Sequence, residues 1–439
     1  MSHYSKVLLL TLTITLGWSC DGLKAQGLGN APYSSLGLGE FYGESYSDNS
    51  GMGQSGVSTA SGFQINNLNP ALWVRNRFTT LDVGLVGQYK SIAEGSKIQK
   101  NAGGNLAYVS LSFPVSPRWV IGANLKPYSF IDYENQSVRP VIGTGANANY
   151  ITSGKGGINK ASITNSVQIN KYISLGLETS YFFGNVRKAS EVTVFNVPGV
   201  PDIVDKDGNI VNVEVVSLNE RTIFSDFAFR AGAAGRIPIK KDNKLNLNLG
   251  GAYSFGTRIN ANTTTSFELT QDSYPVIPAD TLENDLTGGL TLPEQFQVGT
   301  SLEWPFKLVL SADYSRQSWS KYRNFDNVSE GLKDVNRFHL GAEYLPKFTS
   351  LNYFDLVRYR IGFSYGNTPY TVNGKNVNDA NVSLGFTFPM GRGYQNFLSA
   401  ALVAGQRGTG GAGQIRERYA RVVLGITLLE RWFIKQKLD

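Results

Sequence analysis

The sequence predicts an all-β fold, a transmembrane antiparallel β-barrel of about 14 strands with an N-terminal hatch inside it. Three observations lead to this expectation. Charged residues are only 17% of the chain and aromatic residues reach 12%, whereas soluble domains carry about 25% charged residues. Mean hydropathy is −0.18, which is too low for a bundle of membrane helices. Apolar and polar residues alternate with a period of two along most of the chain, as in strands with one apolar face.

The N-terminus has the pattern of a secretory signal peptide. Lys6 precedes the apolar run 7–16, which is too short to span a bilayer as a helix. Cleavage after Ala25 would release the mature chain, and we assign residues 1–25 to the signal peptide. Cleavage before Cys20 would instead make a lipoprotein, although the residues before Cys20 form a poor lipobox. Both cleavage sites place the protein outside the cytoplasm.

Residues 26–75 follow, and we predict that they form a hatch. This segment is rich in Gly, Ser and Asn and lacks sustained alternation. It is too small to build its own core, so it must fold inside something else. The alternative is a disordered N-terminal arm. Four aromatic residues argue against simple disorder, and they are Phe41, Tyr42, Tyr46 and Phe63.

Residues 76–439 are predicted to form the barrel. The alternation places strands near 79–90, 104–113, 119–131, 158–169, 173–187, 221–237, 244–270, 293–303, 306–319, 335–345, 356–366, 379–389, 395–405 and 416–429. An even number suits a single-chain bacterial barrel. A soluble β-sandwich also alternates, but Tyr and Trp lie near many strand ends and no domain break interrupts the pattern.

The connections between these strands are predicted to alternate between long extracellular loops and short periplasmic turns. The predicted long loops are 91–103, 132–157, 188–220, 271–292, 320–334, 367–378 and 406–415. Loops 188–220 and 271–292 contain enough Val, Ile and Leu to be apolar capture surfaces. The first of them could equally hold another hairpin that extends the barrel wall.

Residue counts argue against an enzyme. The chain has two His and one Cys, and His3 and Cys20 both lie in the predicted signal peptide. His339 alone remains, so thiolate metal sites, disulfides and Cys nucleophiles are excluded. We expect no cofactor and no metal site. The net charge is +7, but no Lys/Arg run supports nucleic-acid binding.

Several short motifs resemble one family when taken in order. They include Asn69-Pro70-Ala71, the stretch 292–299 (LPEQFQVG), Trp319, and the stretches 338–344 (FHLGAEY) and 360–370 (RIGFSYGNTPY). The chain is similar to the FadL family of outer-membrane long-chain fatty-acid and hydrocarbon transporters. The resemblance implies a location in the outer membrane of a Gram-negative bacterium. It also implies that Asn69, Pro70 and Ala71 belong to the hatch.

The resemblance further implies passive uptake of a hydrophobic small molecule, a long-chain fatty acid or a hydrocarbon, with lateral exit into the membrane lipid. A lateral exit needs a break in the strand ladder. Pro127 lacks an N–H and cannot complete a ladder, so we hypothesise that it helps to form the opening. The alternative is that Pro127 only marks the outer end of its strand.

Inward-facing cations are the candidate ligand-binding residues. If the apolar faces point to lipid, Arg360, Arg421 and Lys126 point into the lumen, where a cation could bind a fatty-acid carboxylate. The competing interpretation is that charges in the lumen neutralise each other, because buried charges are usually paired.

A second function from another class stays open: an outer-membrane secretion accessory or shuttle that holds exported proteins at the cell surface, with a secretion-system partner. A continuous apolar tunnel that ends near Pro127 would favour transport. An interior filled by the hatch would favour the accessory role. A general diffusion pore is a third reading, and the predicted hatch argues against it. The sequence identifies neither the ligand nor the oligomeric state.

Overall fold

The structure is a computed structural model that describes residues 28, 30–195, 203–204, 210–211, 214–240, 244–271, 274–372, 374–391, 396–409 and 415–430. The predicted signal peptide lies outside the described residues. The strands are β1 (Glu40–Phe41), β2 (Thr79–Glu94), β3 (Lys97–Ser116), β4 (Trp119–Pro140), β5 (Asn147–Gln168), β6 (Ile173–Phe195), β7 (Ile203–Val204), β8 (Ile210–Val211), β9 (Glu214–Pro238), β10 (Asn246–Ser254), β11 (Thr257–Gln271), β12 (Tyr274–Leu292), β13 (Gln295–Trp304), β14 (Leu308–Gln317), β15 (Val335–Tyr344), β16 (Arg358–Val372), β17 (Lys375–Met390), β18 (Asn396–Arg407) and β19 (Ile415–Glu430). One short α-helix, α1 (Ser47–Ser50), and 3-10 turns at Pro32–Ser35, Pro70–Arg75, Trp319–Lys321 and Tyr353–Leu356 complete the described elements.

All the strands except β1, β7 and β8 form one closed antiparallel barrel. β7 pairs with β8 in a separate two-stranded sheet. Each barrel strand pairs with its neighbour in the chain, and β19 pairs with β2 along its length to close the ring. β10 and β11 continue each other and act as one wall strand, because both pair with β9. β12 and β13 form the next wall strand in the same way. The wall therefore has fourteen strands, which confirms the predicted number.

Many strands are longer than predicted. The expected loop 271–292 is wrong, since Tyr274–Leu292 is β12 and pairs with β11. Much of 188–220 also belongs to the wall, because β6 runs to Phe195 and β9 starts at Glu214. The physical reason is visible in the burial: both faces of residues 280–287 are exposed. When both faces of a strand meet water, both can carry polar residues, so apolar and polar residues do not alternate along its sequence.

The faces of the wall follow the predicted register. Leu340 and Ile361 point outward and are 53% and 60% exposed, whereas Asp313, His339 and Arg360 point inward and are 4–5% exposed. An exposed apolar belt around a closed barrel is the architecture of an outer-membrane protein of a Gram-negative bacterium. Within the described residues, no helix is long and apolar enough to cross a membrane.

The ladder between β3 and β4 is incomplete. Their pairing covers Val109 to Ser116 of β3 and ends at Leu125 of β4. Higher up, β3 pairs only with β2, and β4 pairs instead with β5 and with the short strand β1. Pro127 lies directly above the last rung and belongs to a bulge in β4. β4 continues to Pro140, so Pro127 does not mark the outer end of its strand.

Residues 30–75, which we call the plug, lie against inward-facing side chains of the wall. β1 adds to β4 at Phe130 and Ser129, where β3 has separated. The α1 helix contacts β17, β18 and β19. The plug thus crosses the lumen and adds a two-residue strand to β4 at the gap in the β3–β4 ladder.

Candidate functional site: the plugged lumen and the crest

Glu44 of the plug lies in a cluster of wall cations. Its carboxylate is 2.7 Å from Lys160 Nζ, 3.4 Å from Lys126 Nζ and 3.7 Å from Arg230 Nη1. Burial opposes ionisation of this carboxyl group, but the three cations outweigh burial and hold the pKa of Glu44 below its ordinary value. The wall itself supplies one carboxylate here, Glu178. Glu44 therefore reduces an excess of positive charge in the wall.

Glu40 of the plug pairs with wall cations at a second cluster. Its carboxylate is 2.8 Å from Lys90 Nζ and 3.1 Å from Arg407 Nη2. Burial again opposes ionisation, and the two cations hold the pKa of Glu40 below its ordinary range. The wall carboxylates Glu417 and Asp379 complete the network around Arg407.

Asp48 binds the third cluster. Arg360 Nη1 lies 2.8 Å from Asp48 Oδ1, and Arg360 Nε lies 2.7 Å from Glu343 Oε2. Thr387 and Ser399 also donate hydrogen bonds to Asp48. The plug acids Glu40, Glu44 and Asp48 recur every four residues, and each one meets a different part of the wall.

A fourth contact uses a wall carboxylate and the plug backbone. Asp313 Oδ2 accepts hydrogen bonds from the N–H groups of Gly56 at 2.6 Å and Val57 at 2.8 Å. On the neighbouring strand, His339 Nδ1 lies 3.0 Å from the carbonyl oxygen of Gly53. His339 thus lies against the plug backbone, and Ser364 Oγ lies 3.0 Å from the same ring nitrogen.

The Asn69-Pro70-Ala71 motif packs closely against the wall. The side chain of Asn69 accepts a hydrogen bond from Ala71 N–H and donates to the carbonyl oxygens of Val57 and Ala233. Two wall glycines make this approach feasible: a Cβ at Gly176 would lie 2.3 Å from Pro70 C, and one at Gly232 would lie 2.2 Å from Asn69 Oδ1. The motif therefore fits a recess in the wall that only glycine permits.

An apolar cluster closes the lumen on the extracellular side of these networks. Tyr33, Leu38 and Phe41 of the plug pack into it. The Phe41 ring lies 5.0 Å from that of Trp319 and 5.3 Å from that of Tyr128. The wall contributes further buried side chains, which include Ile131, Phe182, Phe224, Ile259 and Leu290. The apolar level of the lumen is thus occupied by the protein's own side chains.

Three cavities between the plug and the wall are small, at about 40, 70 and 160 Å³. The one of about 160 Å³ is lined by Arg337, His339, Arg421 and several Gln side chains. Sites for small hydrophobic ligands are usually about 300–1,000 Å³ and mostly apolar. A larger apolar concavity of about 880 Å³ lies among outward-facing side chains such as Leu340 and Ile361, so it faces lipid.

The structure places the three candidate ligand-binding cations in the lumen but gives them different partners. Arg360 and Lys126 are ion-paired with Asp48 and Glu44 of the plug. These contacts agree with the interpretation that lumen charges neutralise each other. Arg421 differs, since its guanidinium donates two hydrogen bonds to Gln88 Oε1, at 3.0 and 2.7 Å.

Most members of the ion-pair networks could not be predicted from the sequence. They include Glu40, Glu44, Asp48, Lys90, Lys160, Glu178, Arg230, Arg407 and Glu417. One signal was available, because three acids recur every four residues in the plug while inward positions of the strands carry cations. Pairing each acid with its cations requires the tertiary fold.

On the extracellular side, part of the wall rises above the lipid belt. We call it the crest, and it consists of residues 132–140, 147–155, 187–195, 214–221 and 264–271 of β4, β5, β6, β9 and β11. The inner face of the wall carries an apolar patch there. The inner face carries the cross-strand row Tyr150, Val192, Val216, Leu269, and then the row Thr152, Ser190, Leu218, Phe267. The outer face carries the rows Ile151, Glu191, Ser217, Glu268 and Ser153, Ala189, Asn219, Ser266.

The apolar inner face of the crest is accessible. Val216 is 38% exposed, Tyr150 39% and Leu218 44%. Below it lies a vestibule of about 350 Å³ lined by Leu218, Lys188, Glu220 and the plug residue Ser35, among others. The shared lining of this vestibule shows that these side chains face the lumen axis.

Almost the whole chain matches the model of one known protein family. The model of the family described as BamG matches residues 6–439. The chain belongs to the BamG family. This BamG protein combines a fourteen-strand wall with an ion-paired plug. No curated protein matches the chain.

Solved structures share the fold of this BamG protein. The toluene transporter TodX of Pseudomonas putida matches with a TM-score of 0.55 and 14% identity, covering 87% of this chain and 98% of its own. The toluene transporter TbuX of Ralstonia pickettii matches with a TM-score of 0.54 and 15% identity, covering 88% and 98%. A FadL homologue of Pseudomonas aeruginosa matches with a TM-score of 0.54 and 13% identity, covering 88% and 98%. The resemblance to FadL thus holds at the level of the fold.

Proposed function

We propose that this BamG protein is an accessory protein of the outer membrane that holds a protein partner at the cell surface. In this proposal the plugged barrel is the membrane base and the inner face of the crest is the contact surface. The apolar patch on the inner face of the crest carries the proposal. If that part of the wall only separated water from water, the inward side chains of Val216, Leu218 and Phe267 would be exposed to water without a contact to offset the cost.

The shape of the crest suits a polypeptide better than a small molecule. Small-molecule sites enclose about 70–90% of the ligand surface, whereas the inner face of the crest is an open sheet. Apolar side chains at its centre, with Lys188, Glu220 and Asn135 close by, resemble the apolar core and polar rim of a protein interface. The filled lumen below supports the same interpretation, because a docking base needs no conduit.

Photo-crosslinking in living cells tests this proposal with a matched pair of positions. A photoreactive amino acid that replaces Leu218 would face inward. One that replaces Asn219, the next residue, would face outward. We expect protein adducts of defined mass from position 218 and none of the same mass from position 219. Absence of a protein adduct at 218, or equal adducts at both positions, would contradict the proposal.

Hydrophobic uptake is the second candidate, and one observation favours it. The β3–β4 ladder ends beside Pro127, which is where a lateral exit would need a break. The solved channels with this fold include transporters named for toluene. In this candidate, a long-chain fatty acid or hydrocarbon would diffuse passively past the plug and leave between β3 and β4. The plug would first have to move, because β1 occupies the gap.

Two measurements separate the candidates. A deletion strain is compared with its parent for uptake of radiolabelled oleate and toluene, and the native protein is purified for identification of bound molecules by mass spectrometry. Loss of uptake together with co-purified fatty acid or hydrocarbon supports transport. Normal uptake together with a stoichiometric protein partner supports the accessory role.

A further inference from the structure

Three cations form a continuous row on the outer face of the wall. Lys155 of β5 lies directly opposite Arg187 of β6, and Arg187 lies directly opposite Arg221 of β9. Directly opposed residues of antiparallel strands have Cβ atoms about 4.5–5.5 Å apart. All three side chains are exposed. Three like charges therefore lie side by side across three strands.

The row lies at the height of the lipid headgroups. On β6 the outward side chains from Ile173 to Phe183 face the lipid, and these ten residue steps span about 25 Å of membrane at ~3.3 Å each and ~40° tilt. An aromatic rim marks the upper limit of this belt, where the Tyr181 and Phe227 rings are 5.0 Å apart. Arg187 is four residues farther along β6, which places it about 10 Å above that limit.

Two of the three cations, Arg187 and Arg221, lie opposite no carboxylate, whereas Lys155 lies opposite Asp132. None of the three takes part in an ion pair with another described residue. Asp132 lies opposite Lys155 on β4, and Thr264 lies opposite Arg221 on β11. Arg187 and Arg221 thus face each other without a carboxylate between them. Like charges directly opposite each other destabilise a sheet, so the arrangement suits a site that an anion occupies.

We propose that Lys155, Arg187 and Arg221 bind the phosphate of an outer-leaflet lipid headgroup. A phosphate offers several acceptor oxygens to guanidinium forks, which bind it in a bidentate manner. The acyl chains of the same lipid would lie below the row, against Tyr181, Phe227 and the other outward side chains. Apolar belt and cation row together therefore match one amphipathic molecule, a phosphorylated lipid of the cell surface. This assignment is independent of what the crest or the lumen does.

Binding of lipopolysaccharide to the purified full-length protein in detergent tests the assignment. The triple variant K155Q/R187Q/R221Q removes the row, and K97Q/K100Q/K375Q removes the same charge from exposed positions on other strands. Each cation near an anionic membrane surface contributes to the free energy of binding. Because the first variant loses three cations, its affinity should fall about 100-fold. The control variant should bind like the wild type, and added salt should weaken wild-type binding.

Two further arms identify the source of the phosphate. Lipopolysaccharide with enzymatically dephosphorylated lipid A should bind the wild type as weakly as the phosphorylated form binds the triple variant. Inorganic phosphate should compete poorly, because it lacks acyl chains. Equal binding of both lipopolysaccharide forms, equal affinity of both triple variants, or full displacement by inorganic phosphate would overturn the assignment. If the triple variant does not fold, the charge-reversed single variant R187E takes its place, with the same expected direction.

Discussion

The carboxylate of Glu44 in the plug lies 2.7 Å from the ammonium of Lys160 in the wall, across 116 residues of sequence. This ion pair links a segment without regular alternation to a strand of the barrel. Lys126 and Arg230 share the same carboxylate. The plug is thus held by charge as well as by packing, and its acids are part of the charge balance of the wall.

Replacing Glu44 with Gln should loosen the plug and destabilise the protein. Three buried cations would then share the single carboxylate of Glu178, and breaking a buried ion pair by removing one partner costs about 3–5 kcal/mol. Thermal unfolding in detergent and limited proteolysis of the plug measure the effect. Glu294→Gln is the control, because Glu294 forms an exposed pair with Lys321 and exposed pairs contribute little. Equal unfolding temperatures for the two variants would contradict the prediction.

Acid should release the plug. The pKa values of Glu40 and Glu44 are lowered in the folded protein from the ordinary value of 4.5. A carboxyl group with a lowered folded pKa stabilises the fold at pH values above its unfolded pKa, and this stability is lost as the pH falls toward the folded pKa. Proteolysis of the plug by an acid-stable protease should therefore be slow at neutral pH and accelerate below about pH 4.5. Unchanged protection at lower pH would show that these ion pairs do not hold the plug.

Gly232→Ala should displace the Asn69-Pro70-Ala71 turn. The added Cβ would lie 2.2 Å from Asn69 Oδ1 and 2.8 Å from Pro70 Cδ, and overpacking of this kind costs about 1–3 kcal/mol. Gly235→Ala is a matched control on the same strand, since a Cβ there meets nothing within 4 Å. Heat-modifiable gel mobility should report a lower folded fraction only for the first variant. A normal folded fraction for Gly232→Ala would mean that the plug tolerates a shift.

Pro127→Val tests the uptake candidate. Valine restores an N–H and can extend the ladder where β3 and β4 separate. If this break is an exit, uptake of oleate should fall while barrel assembly stays intact. Pro140→Val, at the upper end of the same strand, should leave uptake unchanged. Normal uptake by the Pro127 variant would remove the support that the ladder break gives to transport.

Leu218→Asp tests the accessory candidate. An aspartate on the inner face of the crest would introduce charge into the proposed contact surface, and a charged group buried without a partner is costly. Recovery of the crosslinked partner, with the photoreactive residue at Val216, should fall markedly. Asn219→Asp adds the same charge to the outer face and should leave recovery unchanged.

The sequence by itself determined the wall within the membrane. A strand with lipid on one side and the lumen on the other must alternate, so residues such as Leu340 and Ile361, which meet lipid, and His339 and Arg360, which meet the lumen, reveal strands and faces locally. The number of strands and the inward direction of Lys126, Arg360 and Arg421 followed from that pattern. The FadL-like fold followed from short motifs in a characteristic order.

Only the tertiary structure decided how the lumen is occupied and where the wall continues above the lipid. Glu40 meets Arg407 across the lumen, and no local period encodes a contact between residues so distant in sequence. β12 escaped prediction because both of its faces meet water near residues 280–287, which removes the demand for alternation. The apolar inner face of the crest also could not be predicted locally, because above the bilayer lipid no longer selects apolar side chains for the outer face.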